Sequence, residues 1–124
     1  MKRRTIAWFL PVLLITAGAV PGDAREAVEI VLYGRYFTEP ATVRFMVAVQ
    51  PDADNRTLRI EADSEDMFRA SEVSLSGAGE KRLHTFTFKN LSAGHYTLRA
   101  QVLSSHEVRG MATSEVIVTG TGLR

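Results

Sequence analysis

Cysteine is absent from the 124-residue sequence, tryptophan occurs once and proline four times. Without cysteine there is no disulfide scaffold, no Cys-based zinc site and no thiol nucleophile. Charge of one sign is equally lacking, since 15 Lys+Arg stand against 14 Asp+Glu for a formal +1. That balance excludes a strongly basic nucleic-acid binder by bulk electrostatics, so no nucleic-acid partner is expected. The length leaves no room for a second independent core. A full membrane-spanning run is missing too. The uncharged stretch from Ile6 to Val20 is fifteen residues, interrupted by Pro11, short of the roughly 20 that a spanning helix needs.

That stretch has another use. Lys2, Arg3 and Arg4 precede it, and Gly22-Asp23-Ala24 follow it. This is the three-part layout of a secretory signal peptide, with small residues at −1 and −3 for a cut after Ala24. A cut after Ala19 is the alternative site, and retention as an anchor is the alternative reading. With no cysteine at the cleavage region, a bacterial lipoprotein anchor is excluded. Residues 1–24 are thus expected to be a signal-peptide helix, leaving no stable membrane anchor and a secreted or periplasmic protein. Cleavage removes Lys2, Arg3, Arg4 and Asp23, so 12 Lys+Arg face 13 Asp+Glu in the mature chain, and Trp8 is lost.

Alternation dominates what remains. Val43, Phe45, Val47 and Val49 alternate with Arg44, Met46, Ala48 and Gln50. Leu58, Ile60 and Ala62 alternate with Arg59, Glu61 and Asp63; Phe86 and Phe88 with Thr85, Thr87 and Lys89; Tyr96, Leu98, Ala100 and Val102 with Thr97, Arg99 and Gln101. Shorter apolar runs lie at Ala27–Phe37, Val73–Leu75 and Val108–Thr119. Glu39-Pro40, Pro51 to Asn55, Gly77-Ala78-Gly79 and Ser92-Ala93-Gly94 punctuate them as turns, with Asp63 to Met67 a polar loop or single helical turn. Seven short strands without crossover helices predict an all-β antiparallel sandwich over residues 25–120, followed by a flexible end at 121–124.

The most specific pattern is Leu91-Ser92-Ala93-Gly94-His95-Tyr96. It resembles the corner of immunoglobulin-like and fibronectin type III-like sandwiches, where a leucine ends one strand and a tyrosine opens the next. Leu91, Gly94 and Tyr96 match that layout. The resemblance implies a Tyr96 hydroxyl bonded back to the turn backbone while its ring plugs the core. The family's tryptophan is missing, with Leu58 or Ile60 in its core position, and Leu98 stands where antibody-type domains have cysteine. The likeness is therefore to the disulfide-free domains of exported bacterial proteins. It identifies an architecture and carries no functional site.

Chemistry finds few candidates. His84, His95 and His106 are spaced eleven apart, which invites a metal reading, but their places on a strand start and two turns predict scattered surface histidines. Asp52, Asp54 and Asn55 begin like a calcium loop, yet Arg56 and Thr57 occupy positions that need an oxygen ligand and glycine; solvated turns are expected. No metal or other cofactor is expected. No nucleophile elbow, metalloprotease motif or phosphate loop occurs, and a small sandwich offers little concave surface. The chain is therefore expected not to be an enzyme. A binding surface remains: Arg59 and Glu61 on one strand would share an outer face with Arg99 and Gln101 on another. Tyr33, Arg35, Tyr36 and Phe37 are expected to pack as core and edge, and the first and last strands to be open edges. The leading expectation is a protein-binding or scaffolding module of the bacterial envelope, partnered by another envelope or secreted protein. The alternatives are a carbohydrate or small-ligand module and a small secreted hydrolase.

Overall fold

Alternating burial sets each strand face in the computed structural model, which describes residues 27–121. Eight strands fill them: β1 Val28–Leu32, β2 Tyr36–Thr38, β3 Ala41–Val49, β4 Thr57–Asp63, β5 Phe68–Ser74, β6 Leu83–Leu91, β7 Gly94–Leu103 and β8 Val108–Thr119. They form two sheets, ordered β1-β3-β6 and β2-β8-β7-β4-β5. β5 begins five residues before the Val73–Leu75 run that marks it in the sequence, and two further differences from the expected strands concern number and direction. The Ala27–Phe37 run divides at Tyr33–Arg35 and sends β1 to one sheet and β2 to the other, giving eight strands rather than seven. The short β2 runs parallel to β8, so the pairing is not wholly antiparallel. The expected signal-peptide helix lies outside the described residues.

The core sits between the sheets. Val43, Phe45, Val47 and Val49 of β3 face Leu58, Ile60 and Ala62 of β4 and Tyr96, Leu98, Ala100 and Val102 of β7, all buried. Phe45 stacks on Phe86 and Phe88, with ring centroids 5.9 and 6.0 Å apart, near the favourable offset distance for aromatic pairs. Both Leu58 and Ile60 take the core position left by the missing tryptophan. The Asp63 to Met67 segment is a tight connection with no helix. Ser64 Oγ accepts the Met67 N–H, and the Ser64 N–H donates to the Met67 carbonyl. Gly77, at φ 69°, allows the turn after β5, where a Cβ would stand 3.3 Å from the Ala53 carbonyl oxygen.

The two ends of the sandwich are closed by different chemistry. At one, Tyr96 is buried and its Oη donates to the Ser92 carbonyl at 2.8 Å. The left-handed residue of this corner is Asn90, at φ 61°, which its short polar side chain tolerates. Gly94 is not the strained position, because a Cβ there meets Ser64 and Tyr96 at an ordinary 3.6 Å. At the other end Asn55 is buried, donating from Nδ2 to the Gln50 carbonyl and accepting Arg109 Nε at 3.2 Å.

Candidate functional site

Period-2 geometry turns Arg59 and Glu61 of β4 outward, because Leu58, Ile60 and Ala62 point in. The β4–β7 register places Arg59 opposite Gln101 and Glu61 opposite Arg99. All four therefore share the outer face of the five-stranded sheet. On β5, Glu72 lies opposite Arg59 and Phe68 opposite Asp63; on β8, Met111 lies opposite Gln101.

These charges are linked. Arg59 Nε meets Glu61 at 2.8 Å and its Nη1 meets Glu72 at 3.0 Å. Arg99 Nη1 pairs with the other oxygen of Glu61. Glu61 is the hub, its side chain only 14% exposed. The Arg59 hydrogen bond holds its carboxyl below the usual carboxylate range, against the opposing cost of burial, with Arg99 adding to the shift. The carboxylates of Glu61 and Glu72 raise Arg59 further into its charged form. Arg59 spends Nε and Nη1 and Arg99 spends Nη1 in this network. The two arginine side chains stay 32% and 30% exposed, and a planar guanidinium suits a carboxylate or backbone carbonyl of a partner. Phe68 at 53% exposure, Val108 at 48% and Met111 at 45% flank the network. Sequence reasoning alone misses Phe68 and Met111. Their parity on β5 and β8 is the signal that places them on the same outer face, Phe68 beside Asp63 and Met111 beside Gln101.

The remaining sequence candidates separate. His84 is buried on β6, with Nε2 unbonded and 3.9 Å from Glu80, so it is not the surface histidine expected. Its parity with Phe86 and Phe88 points it inward. His95 opens β7 near the Tyr96 corner, and His106 lies in the β7–β8 turn at the opposite end. Among the described residues no three His, Asp or Glu side chains converge as a metal would require. The acidic loop, expected to be solvated, is taken by an internal cation. Arg109 reaches Asp52 at 3.0 Å and Asp54 at 3.6 Å. Asn55 heads an Asn-x-Thr sequon, but its buried, bonded side chain is closed to a glycan in the folded protein. Tyr33 and Tyr36 stand 69% and 75% exposed rather than packed, while Phe37 lies against the core. The last strand, β8, is interior to its sheet and is no edge.

Beside Arg109 the β3–β4 and β7–β8 connections enclose a cleft of 310 Å³ lined by Asp54, Arg56, Ser104, Ser105, His106, Glu107 and Arg109. Its lining residues are all polar or charged, and His106 is the one ring among them. No helix among the described residues is long and apolar enough to cross a membrane.

No protein-family model and no curated protein matches the chain. Solved structures do resemble it. Superoxide reductase (neelaredoxin) from Ignicoccus hospitalis superposes at a TM-score of 0.55, with 17% identity over 74% of this chain and 80% of that one. A point variant of that reductase gives 0.56, with 17% identity over 80% and 89%. A CARDB domain from Pyrococcus furiosus, solved with di-metal ions, gives 0.48, with 18% identity over 74% and 92%. At such identity the likeness is one of fold. It does correct one expectation. The small concave surface of such a sandwich argues against enzymatic activity, yet superoxide reductases are built on this fold, so that exclusion does not stand.

Proposed function

We infer that this chain is an exported, immunoglobulin-like and fibronectin type III-like sandwich that binds another protein of the bacterial envelope or its surroundings. The outer face of the five-stranded sheet is the binding surface. Three- and five-stranded sheets in the orders β1-β3-β6 and β2-β8-β7-β4-β5, together with the Tyr96 corner, support that sandwich type. The N-terminal layout of Lys2 to Arg4, the Ile6–Val20 stretch and Ala24 supports export.

One observation carries the binding reading: half-exposed arginines, fixed by Glu61 and Glu72, share a face with exposed Phe68 and Met111. Arginine, methionine and aromatic side chains are enriched at protein interfaces, and the ion pairs spare the arginines part of the ordering cost of binding. Cross-linking in intact cells with mass spectrometry tests it. Wild-type protein is expected to yield a reproducible envelope partner, and Phe68→Asp with Met111→Asp to lose it while the unfolding midpoint stays put. An adduct profile unchanged by that double variant overturns the assignment.

The cleft at the Arg109 end favours a second reading, a small polar ligand of mixed charge. It lies within the volume range of ligand sites, and its lining carries Asp54 and Glu107 beside Arg56 and Arg109 with no Trp, Tyr or Phe. Thermal-shift screening with amino acids and short peptides checks it: a raised midpoint abolished by Arg56→Ala is the expected result, and a flat response rejects it.

A further inference from the structure

Each sheet has two edges, β1 and β6 in the smaller and β2 and β5 in the larger. Edge strands offer unpaired N–H and C=O groups, and proteins blunt them by shortness, irregularity or cover. β2 has three residues, and β1 has five and lies beside β8. β6 pairs irregularly with β3 near Ala41 and Val43, carries left-handed Asn90 before its last residue, and has its Lys89 carbonyl taken by Arg69 Nη1 at 2.9 Å. β5 has none of these protections. Its seven residues contain no proline or glycine and run in unbroken register with β4.

The direction of its free groups follows from the ladder. The Leu75 N–H donates to the Arg56 carbonyl and the Ser64 N–H to the Met67 carbonyl, one at each end of the β4–β5 pairing. Antiparallel pairs alternate between residues that exchange both bonds and residues that exchange none. Arg69, Ser71 and Val73 therefore spend their backbone groups on β4, while Phe68, Ala70, Glu72 and Ser74 turn theirs to the open side. No strand among the described residues lies there.

We propose that β5 pairs antiparallel with β5 of a second copy of this chain, about a two-fold axis at Ser71. Full overlap of all seven residues sets Phe68 opposite the partner's Ser74, Arg69 opposite the partner's Val73 and Ala70 opposite the partner's Glu72. In that register the residues that exchange bonds are the four whose backbone groups turn outward. Ser71 meets its own copy at a close, non-bonded position, about 4.5 Å between Cα atoms, where a small side chain is required. No like charges stand directly opposite, and Glu72 is already paired with Arg59. The result is one ten-stranded sheet in which the two Arg59–Glu61–Arg99 faces become continuous. This inference rests on the edge and stands apart from the identity of any other partner.

Sedimentation velocity over a wide concentration range tests it with the purified protein. Wild type is expected to pass from monomer to dimer. Ala70→Pro removes an outward N–H while sparing the β4 ladder, and should be monomeric throughout. Ala70→Glu opposes the partner's Glu72 twice, by symmetry, and should weaken the dimer about tenfold, with salt restoring it. Ala70→Lys should tighten it several-fold. These charge variants keep the test decisive if the proline variant misfolds. A wild type that stays monomeric at the highest concentrations overturns the proposal. So does a dimer insensitive to both charge variants, or one lost with Thr87→Pro in β6 and retained with Ala70→Glu.

Discussion

The two ends of the sandwich do the same job with opposite materials. At the corner end a single aromatic ring fills the core and one neutral hydrogen bond, Tyr96 Oη to Ser92, ties it to a turn four residues earlier. At the other end buried Asn55 bonds the partly exposed Arg109, 54 residues away, with Asp52 and Asp54 balancing the guanidinium. The first closure is local and insensitive to ionic conditions. The second is long-range and polar, so it depends on every partner being present. An apolar plug loses packing when cut back; removing buried Asn55 strands the groups bonded to it.

Tyr96→Ala should break the corner end most severely, costing about 3–5 kcal/mol by analogy with other large aromatic truncations in cores. Chemical denaturation reads this as a large fall in midpoint. Asn55→Ala should follow at about 1–3 kcal/mol, because it leaves the Gln50 carbonyl and Arg109 Nε without their bonds. Tyr96→Phe keeps the ring and removes only the bond to Ser92, so about 1 kcal/mol is expected. If Tyr96→Phe costs more than Asn55→Ala, the contrast between the ends is reversed. The outer face sets the lower limit. Glu61 is held below the ordinary carboxylate value of 4.5, chiefly by Arg59, so its contribution is complete above 4.5 and is lost as pH falls through its lower folded value. Glu61→Gln should flatten the acid limb of a stability–pH curve below 4.5. At neutral pH it should cost no more than about 1 kcal/mol, since its two arginines are solvent-screened.

The same contrast explains what was legible in the sequence. Leu91, Gly94 and Tyr96 fall within six residues, so the corner can be read locally. Alternation in β3, β4 and β7 is legible because one face of each is buried. That alternation also brings Arg59, Glu61, Arg99 and Gln101 to one face. β5 is poorly legible because an edge strand is wetted on both faces, and its burial follows no clean period. The break at Gly34 marks where β1 and β2 divide, but which sheet each half joins is a tertiary choice that the run Ala27–Phe37 does not encode. Arg109 carries no local sign of its role, since Asn55, Asp52 and Asp54 are brought to it by two separate connections. Chain order suggests open edges at the first and last strands, but β8 is interior and β5 is outermost.

The outer face of the five-stranded sheet is the proposed contact with a protein partner. A photo-activatable cross-linker placed at Gln101, between Arg59 and Met111 in register, tests it most directly in living cells. Thr87, exposed on the outer face of the smaller sheet, serves as the reference position. A discrete adduct from Gln101 that Arg99→Ala diminishes, with none from Thr87, is the predicted result. Equal labelling from both positions, or none from Gln101, would contradict it.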